Sequence, residues 1–463
     1  MKGICTVFAV FVLTGCALTQ PTDPYEPAGM SAPVSAANLP RASASSLPDG
    51  PVSLRQAIAI GLANNPEIAA LGWEESAAAA RRDQAFAQRL PSLGARGSYY
   101  HHVDEQRILP VRQPQEPAIL SRDIVSSDLV FSIPLFTSGR LVNRVQAADL
   151  LQKAASHELA RSRKSLIFNI SSLYYSILAQ QHAIESAKFS EQALTAQLER
   201  TKALIEAKKA AKVDRLRTEV RMSDVRQQLV AEKNRLDIYH RTLANLFGLP
   251  GQADQLLLAG ELELRENFSA PAFATALAEA RENRDDYRSA RLALEARARN
   301  VDAARAEYWP EVFLMGTYGG RWAAGSSTGT GDTFGDEGRF GVEVEMPIFD
   351  SGRINAEIRE QRAELAAARK RLRALELDIR LEIETALADI ASFRERAAAL
   401  EKSIVQARES LRIEQQRYDL GKGTIVDVLD AQDALLGAET TYYEVLAELR
   451  TAMARLKLAT GEI

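Results

Sequence analysis

Asp427 and Asp430 open the last long helical stretch of the chain, within "RYDLGKGTIVDVLDAQDALLGAE" at 417 to 439. Carboxylates in the first turn and a half of a helix can compensate its dipole, and Asp427 stands three residues after Thr424, the spacing of an N-terminal capping box. Little else in the sequence could join them in a reaction. Five histidines (His101, His102, His157, His182, His240) and two cysteines leave scant material for a metal site. The adjacent pair His101-His102 ends an extended stretch with no clustered cysteine or acid at ligand spacing. "GSSTGTGDT" at 325 to 333 lacks the Gly-Lys-Ser/Thr ending of a phosphate loop and follows no buried strand leading to a helix. No nucleophile and base pair stands out, so the chain reads as no enzyme, with no cofactor and no metal. With 57 basic and 61 acidic residues the net charge is −4, and no basic face marks a nucleic-acid partner.

The elements that must position these residues are long. Between Leu141 and Phe247 there is neither proline nor glycine, and the same holds from Arg353 to Leu420, so both runs read as uninterrupted helix. Gly421 and Gly423 break the second run, and Thr424 restarts it. Leu141 to about Lys208 alone amounts to about 100 Å of helix at 1.5 Å per residue. A rod of that length needs other rods to pack against. After the break, Val428, Leu435, Tyr442 and Leu449 recur every seven residues, as do Ala431, Ala438, Val445 and Ala452, which predicts a coiled-coil-like seam.

Most informative is an internal duplication. Pro91, Gly97 and Tyr99 fall on Pro310, Gly316 and Tyr318 at an offset of 219, and "PLFTSGR" (134 to 140) falls on "PIFDSGR" (347 to 353) at an offset of 213. The loop between these landmarks is therefore six residues longer in the first copy. Residues 53–250 form one copy: a helix, strands near 91–108 and 124–134, and a helical hairpin over 138–247. Residues 272–463 form the second, with strands near 310–322 and 338–348 and a hairpin over 351–460, after a linker at 251–271. The strand-to-helix turns carry Pro134, Gly139 and Arg140 in one copy and Pro347, Gly352 and Arg353 in the other. "RFGVEVEMPI" alternates strictly, with Phe340, Val342, Val344 and Met346 on one face, whereas "SDLVFSIPL" alternates less cleanly because Val130 falls on its polar side. Four strands per chain cannot close a barrel, and in a bilayer an open edge leaves backbone groups unsatisfied, so closure requires other subunits.

At the N-terminus, "MKGICTVFAVFVLTGC" has one basic residue and an apolar run too short to span a bilayer, the layout of a secretory signal. Its Leu13-Thr14-Gly15-Cys16 resembles the bacterial lipobox, which implies a signal peptide over 1–15 and a palmitate-type acyl anchor on Cys16. Residues 16–52, rich in Pro, Ala and Ser, read as an extended tether.

The duplication, the paired Ser-Gly-Arg turns, the lipobox and the 417–439 stretch together resemble the outer-membrane efflux proteins of the TolC family, over about residues 53 to 461. The resemblance implies a mainly α fold with a membrane β-barrel: a homotrimer whose twelve strands form one barrel, continued by a long helical periplasmic tunnel. It implies a passive conduit for tripartite efflux or type I secretion in a Gram-negative outer membrane. The partners would be outer-membrane lipid, a periplasmic adaptor, and an inner-membrane pump such as an RND transporter or ABC exporter. It places Gly421, Gly423 and Thr424 at the periplasmic tip of a hairpin and makes Asp427 and Asp430 candidate entrance rings, with capping as the other reading. Tyr418 and Asp214 match a gating network whose basic member falls on Gly423, leaving Lys422 as a substitute. The first tip carries Lys208 where the second has Gly421, and Lys208, Lys209 and Lys212 read either as solvated surface or as a docking patch. A periplasmic coiled-coil adaptor or structural lipoprotein is the alternative.

Overall fold

A computed structural model describes residues 50–111, 114, 119–263, 269–325, 327–329 and 333–463. The expected signal peptide, Cys16 and nearly all of the expected tether lie outside these residues. The described part is mainly helical. Its elements are α1 (Leu54–Asn64), α2 (Pro66–Ala87), β1 (Ser92–Arg107), β2 (Ile119–Phe136), α3 (Arg140–Glu206), α4 (Lys212–Leu246), α5 (Phe273–Asn283), α6 (Asp285–Ala306), β3 (Glu311–Ala323), β4 (Ser327–Gly329), β5 (Phe334–Glu345), α7 (Arg353–Asp419) and α8 (Ile425–Thr460).

Lengths recur in register. α1 and α5 have 11 residues each, α2 and α6 have 22, and α3 and α7 have 67. The returning helices α4 and α8 have 35 and 36. α3 packs against α4, and α7 against α8, while α8 also lies along α3 and so joins the two hairpins. Both heptad rows of α8 face inward: Val428, Leu435, Leu449, Val445 and Ala452 are buried, and Tyr442, Ala431 and Ala438 are half-buried. This burial is the main stabilising contribution for rods whose isolated propensity could not hold them.

The α3–α4 run is not one helix. It breaks over 207 to 211, where Lys208 takes φ 62°. A run free of glycine and proline still turns there, because a lysine adopts the left-handed conformation.

At the middle of the rods each copy makes a corner. Helices α1 and α2 break at Asn65, which donates through Nδ2 to Leu246 O (3.0 Å) while its Oδ1 accepts from Glu67 N and Ile68 N. In the second copy Arg284 stands at that position and donates to Ala459 O (3.3 Å). The chain then leaves the returning helix through Gly248 (φ 70°) or Gly461 (φ 80°), where a Cβ would lie 2.6 Å from Asn64 O or Asn283 C. Only glycine permits both that conformation and that approach. Arg284 also grips Asp286 (2.6 Å) and Glu382 (2.5 Å), and Asp285 receives His157 and Lys164, each at 2.8 Å. Burial disfavours the charged Asp286 carboxylate, but hydrogen bonding and attraction from Arg284 outweigh it and hold its pKa below the usual range.

Two stretches differ from expectation. The tether's end is structured: Val52 is buried and pairs in parallel with Leu258, and Tyr174 donates to both Val52 O and Ala259 O. The linker opens with a 3₁₀ turn at Pro250–Gln255. Both segments thus clasp the middle of α3.

The sheet runs β1-β2-β3-β5, antiparallel throughout. A fifth strand, β4, falls inside the glycine-rich loop and pairs with Ile119–Ser121 of β2. β2 outruns β3, whose last pair is Ala323 with Ile124, so its remaining edge groups need a partner and the loop supplies one. The expected strand at 338–348 instead spans Phe334–Glu345, since β3 offers no partner beyond Glu311.

Register sorts the faces. Leu93, Phe131, Gly316 and Phe340 lie in one row, flanked two residues away by Leu129, Tyr318 and Val342 on the same face. The other face carries Arg96, Asp128, Arg321, Glu337 and Arg339, with Arg321 bonded to Asp128 at 2.6 Å. Val130 lies on this polar face between Gly94 and Thr317. Among the described residues, β1 and β5 each keep one unpaired edge.

Replacing Arg284 with Ala strands the buried Asp286 carboxylate, and should cost about 3–5 kcal/mol. A drop in the thermal midpoint of the detergent-solubilised protein would report it. Because the Asp286 pKa is depressed in the fold, its contribution is present above the usual 3.8 and is lost as pH falls through the lower folded value.

Candidate functional site: the two hairpin tips

The tips are built by one backbone device with different residues. α7 ends in a Schellman motif, in which Lys422 N donates to Arg417 O (2.8 Å), Gly421 N donates to Tyr418 O (3.0 Å), and Gly421 takes φ 68°. α3 ends identically: Lys209 N donates to Leu204 O (2.8 Å) and Lys208 N to Ile205 O (2.9 Å). There Lys208 occupies the left-handed position and carries the strain of its Cβ. Gly423 serves a different need, because a Cβ would lie 3.1 Å from Arg417 Cβ and 3.2 Å from Tyr418 N. The basic residue that the family resemblance places here has little room on this backbone.

The returning helices are capped unequally. Thr424 Oγ1 accepts from Asp427 N (3.3 Å), and Asp427 Oδ2 accepts from Thr424 N (2.9 Å) and Thr424 Oγ1 (2.8 Å). These bonds from Thr424 lower the pKa of exposed Asp427. At the first tip Ala211 has no side-chain acceptor, so only the return bond exists, from Ala211 N to Asp214 Oδ2 (3.2 Å). Asp430 is exposed and makes no hydrogen bond or ion pair among the described residues. The same holds for the Lys422 ammonium.

Tyr418 does not reach outward. It is 7% exposed, in an apolar cluster with Ile184, Leu194, Val225, Ile425 and Val428. Burial raises its pKa, and the nearby charges of Asp214 and Asp419 raise it further, against the opposing effect of Thr201. Its hydroxyl lies beside Thr201 yet has no hydrogen bond of ordinary geometry. Thr201 is already engaged, donating to Gln197 O at 2.9 Å. Tyr418 and Asp214 are thus neighbours without a bond between them.

The cations that do bridge the hairpins are residues that sequence reasoning missed. Arg200 of α3 pairs with Asp419 of α7, and Arg221 of α4 pairs with Asp433 of α8. Only the relative rotation of the helices brings them together, and no local motif announces that. Lys209 and Lys212, like Lys208, belong to the first tip, and the residues at 208 and 209 to 212 are mostly exposed.

At the other end of the long helices, the Ser-Gly-Arg turns repeat their conformation: Ser138 and Gly139 have φ 51° and 87°, Ser351 and Gly352 have 57° and 86°. Pro134 pairs with Phe313 past the last β1 pair at Ser132, where its missing N–H leaves no gap toward β1. Pro347 follows the end of β5. Arg140 clamps Glu311 with two bonds, one of them 2.7 Å, and Arg353 reaches Glu307 at 3.2 Å.

Two paired helical hairpins on an antiparallel sheet of four long strands and one short one, with one apolar face, form an arrangement also found in known proteins. The sequence profile of the outer membrane efflux protein family matches residues 58–249 and 276–462, the two copies in turn. The chain belongs to that family. Among its relatives, the outer membrane protein TolC of Vibrio cholerae serotype O1 is 21% identical over 86% of this chain and 88% of its own length. The outer membrane protein OprJ of Pseudomonas aeruginosa is 26% identical over 88% and 84%. The crystal structure of the outer membrane protein VceC from Vibrio cholerae shares the fold, with a TM-score of 0.73, 20% identity, and coverage of 88% of this chain and 96% of that one. In this outer membrane efflux protein no helix among the described residues is long and apolar enough to cross a membrane. No group of three or more His, Cys, Asp or Glu that could hold a metal occurs among them either.

Opposite shifts are expected at the tips. Lys208→Gly relieves a left-handed side chain and should stabilise the first turn by about 0.5–1 kcal/mol, net of the added chain entropy. Thr424→Ala removes a cap and should cost the second about 1 kcal/mol. Hydrogen exchange at the amides of 205–214 and 420–427 separates the two. The Asp427 cap itself holds above pH 3.8 and opens as pH falls through its depressed value.

Proposed function

We propose that this outer membrane efflux protein acts as a passive trimeric conduit, from the periplasm to the exterior, in a tripartite efflux or type I secretion system. The observation that carries the reading is the open sheet. Its two edges are unpaired, and its outer face exposes Phe340, Val342 and Val344 in a row. In a bilayer each unsatisfied backbone group costs several kcal/mol, so strands there occur only as closed barrels. Strand directions alternate across the sheet, so β5 of one copy runs antiparallel to β1 of the next, and three copies give twelve strands. The hairpins then line a helical tunnel whose tips form its periplasmic entrance. An adaptor or a structural lipoprotein has no use for such a sheet.

Cys16 carries the lipid anchor in this reading, and an adaptor and an energised inner-membrane pump, of the RND or ABC kind, supply partner and driving force. The chain itself catalyses nothing. Threefold symmetry makes rings of Asp427 and Asp430, which favour cations. Gating belongs to the contacts between hairpins, where Arg200–Asp419 and Arg221–Asp433 act as latches. Each pair joins a well-exposed side chain, Arg200 or Asp433, to a half-buried partner and contributes about 1 kcal/mol or less, a strength suited to release by a partner.

Single-channel recording in planar bilayers tests this. The purified trimer should conduct with a cation preference, and Asp427→Ala with Asp430→Ala should weaken that preference. Arg200→Ala with Arg221→Ala should raise conductance; an unaltered current would remove the latches. A protein that runs as a monomer in detergent, or never conducts even with the latches removed, overturns the conduit.

A further inference from the structure

The internal repetition fixes how one copy meets the next. β1 and β3 correspond at an offset of 219, β2 and β5 at 213. The β2–β3 junction inside the chain therefore has its counterpart in β5 of one protomer against β1 of its partner. We infer that this edge-to-edge junction adopts the β2–β3 register, which sets Glu345 opposite the partner's Arg96. The inference rests on the trimeric reading above and adds the contact surface to it.

Within the chain, Ser132 pairs with Met315, Val130 with Thr317, Leu129 with Tyr318 and Asp128 with Gly319. Transferred, these become Glu345 with the partner's Arg96, Glu343 with the partner's Ser98, Val342 with the partner's Tyr99, and Gly341 with the partner's Tyr100. Charge, face and shape all agree. Arg96, Glu343 and Glu345 are exposed, and none makes a hydrogen bond or ion pair among the described residues. Glu343 lies diagonal to the partner's Arg96, within reach of the same guanidinium. Tyr100 over Gly341 repeats the pairing of Tyr318 with Gly338 seen inside the chain.

The junction also accounts for a stretch that a single chain leaves bare. β2 continues to Phe136, which pairs with Val312, and Leu135 and Phe136 are 54% and 55% exposed. Its counterpart β5 stops at Glu345, leaving Ile348 and Phe349 at 97% and 88%. The transferred register gives Met346, Pro347 and Phe349 the partner's Ala95, Gly94 and Leu93 as neighbours. Paired as Leu135 and Phe136 are, this strand end would fall from nearly full exposure to about the 54% and 55% of its counterpart.

Closure is consistent with this register. The row Leu93, Phe131, Gly316, Phe340 leads to the partner's His101, a displacement of eight residues per protomer. An even displacement keeps apolar side chains on the apolar face, whereas a slip of one residue would exchange the faces. A slip of two residues preserves them and would set Glu343 opposite the partner's Arg96, so charge alone does not choose. The repetition does.

The junction also differs chemically from its internal counterpart. Inside the chain Arg140 clamps Glu311; between chains Arg353 would meet the partner's Ser92, which has no carboxylate. The ion pair moves four residues along β1, to Arg96.

Cysteine pairs read the register directly, because cross-strand neighbours have Cα separations of about 4.5–5.5 Å, within disulfide range. In full-length protein in outer membranes, Ser98→Cys with Glu343→Cys should give a covalent trimer on oxidation, visible on a non-reducing denaturing gel. Ser98→Cys with Gly341→Cys, or with Glu345→Cys, should give much less, and Ser98→Cys alone none. Arg96→Glu should reduce the yield of heat-resistant trimer, and adding Glu345→Arg should restore it. Preferential linkage in either displaced pair overturns the register and leaves the trimer standing, as does a trimer by mass in detergent that links in none of the pairs. A monomer by mass instead removes the trimeric reading itself.

Discussion

Where water is absent, every backbone N–H and C=O needs a partner, and the two bare edges of this sheet have none among the described residues. The rest of the architecture follows from that requirement. In the proposed trimer, a sheet completed by copies of itself fixes the copies around an axis. Helices leaving its lower rim would then stand side by side in a ring, and rods about 100 Å long would acquire neighbours on both flanks. The seam residues of α8 are already buried within one chain, between α7 and α3. The Ser-Gly-Arg turns are the joints between the two regimes: two successive left-handed residues redirect the chain from a strand to a helix, and the arginine behind them ties the joint down, onto Glu311 in one copy.

Much of this is legible in sequence because it depends on period and on glycine. The alternation of "RFGVEVEMPI", the seven-residue rows after Asp427 and the break at Gly421 are local patterns with local causes. What escapes depends on geometry between distant segments. β4 has no apolar alternation and exists because β2 is longer than β3. Val52 and Leu258 look like tether and linker until α3 lies beneath them. Arg200 and Asp419 are 219 positions apart, and nothing in either neighbourhood selects the other. Lys208 shows a different limit: its φ of 62° is imposed by the hairpin, against the preference of the residue.

The tips combine order and slackness. Schellman motifs close the backbone at both, while Asp430 and Lys422 have no hydrogen bond or ion pair among the described residues. Tyr418 is buried with an unpartnered hydroxyl. A buried hydroxyl without a bond costs free energy, and any rearrangement of the hairpins that supplies an acceptor recovers it. The arrangement seen here is therefore held below its best attainable stability at this tip.

Equal length in α3 and α7 has a consequence for how the chain can vary. The six-residue difference between the copies is confined to the strands and their loop; α1, α2 and α3 match their counterparts residue for residue. Hairpins from both copies end at a common level, like staves cut for one cask. An insertion in a loop alters one rim locally. An insertion in a rod lifts one tip out of line and rotates its seam by 100° per residue, so only paired changes of about seven residues preserve both level and facing. Drift in sequence can be wide in such a protein while its helix lengths stay fixed.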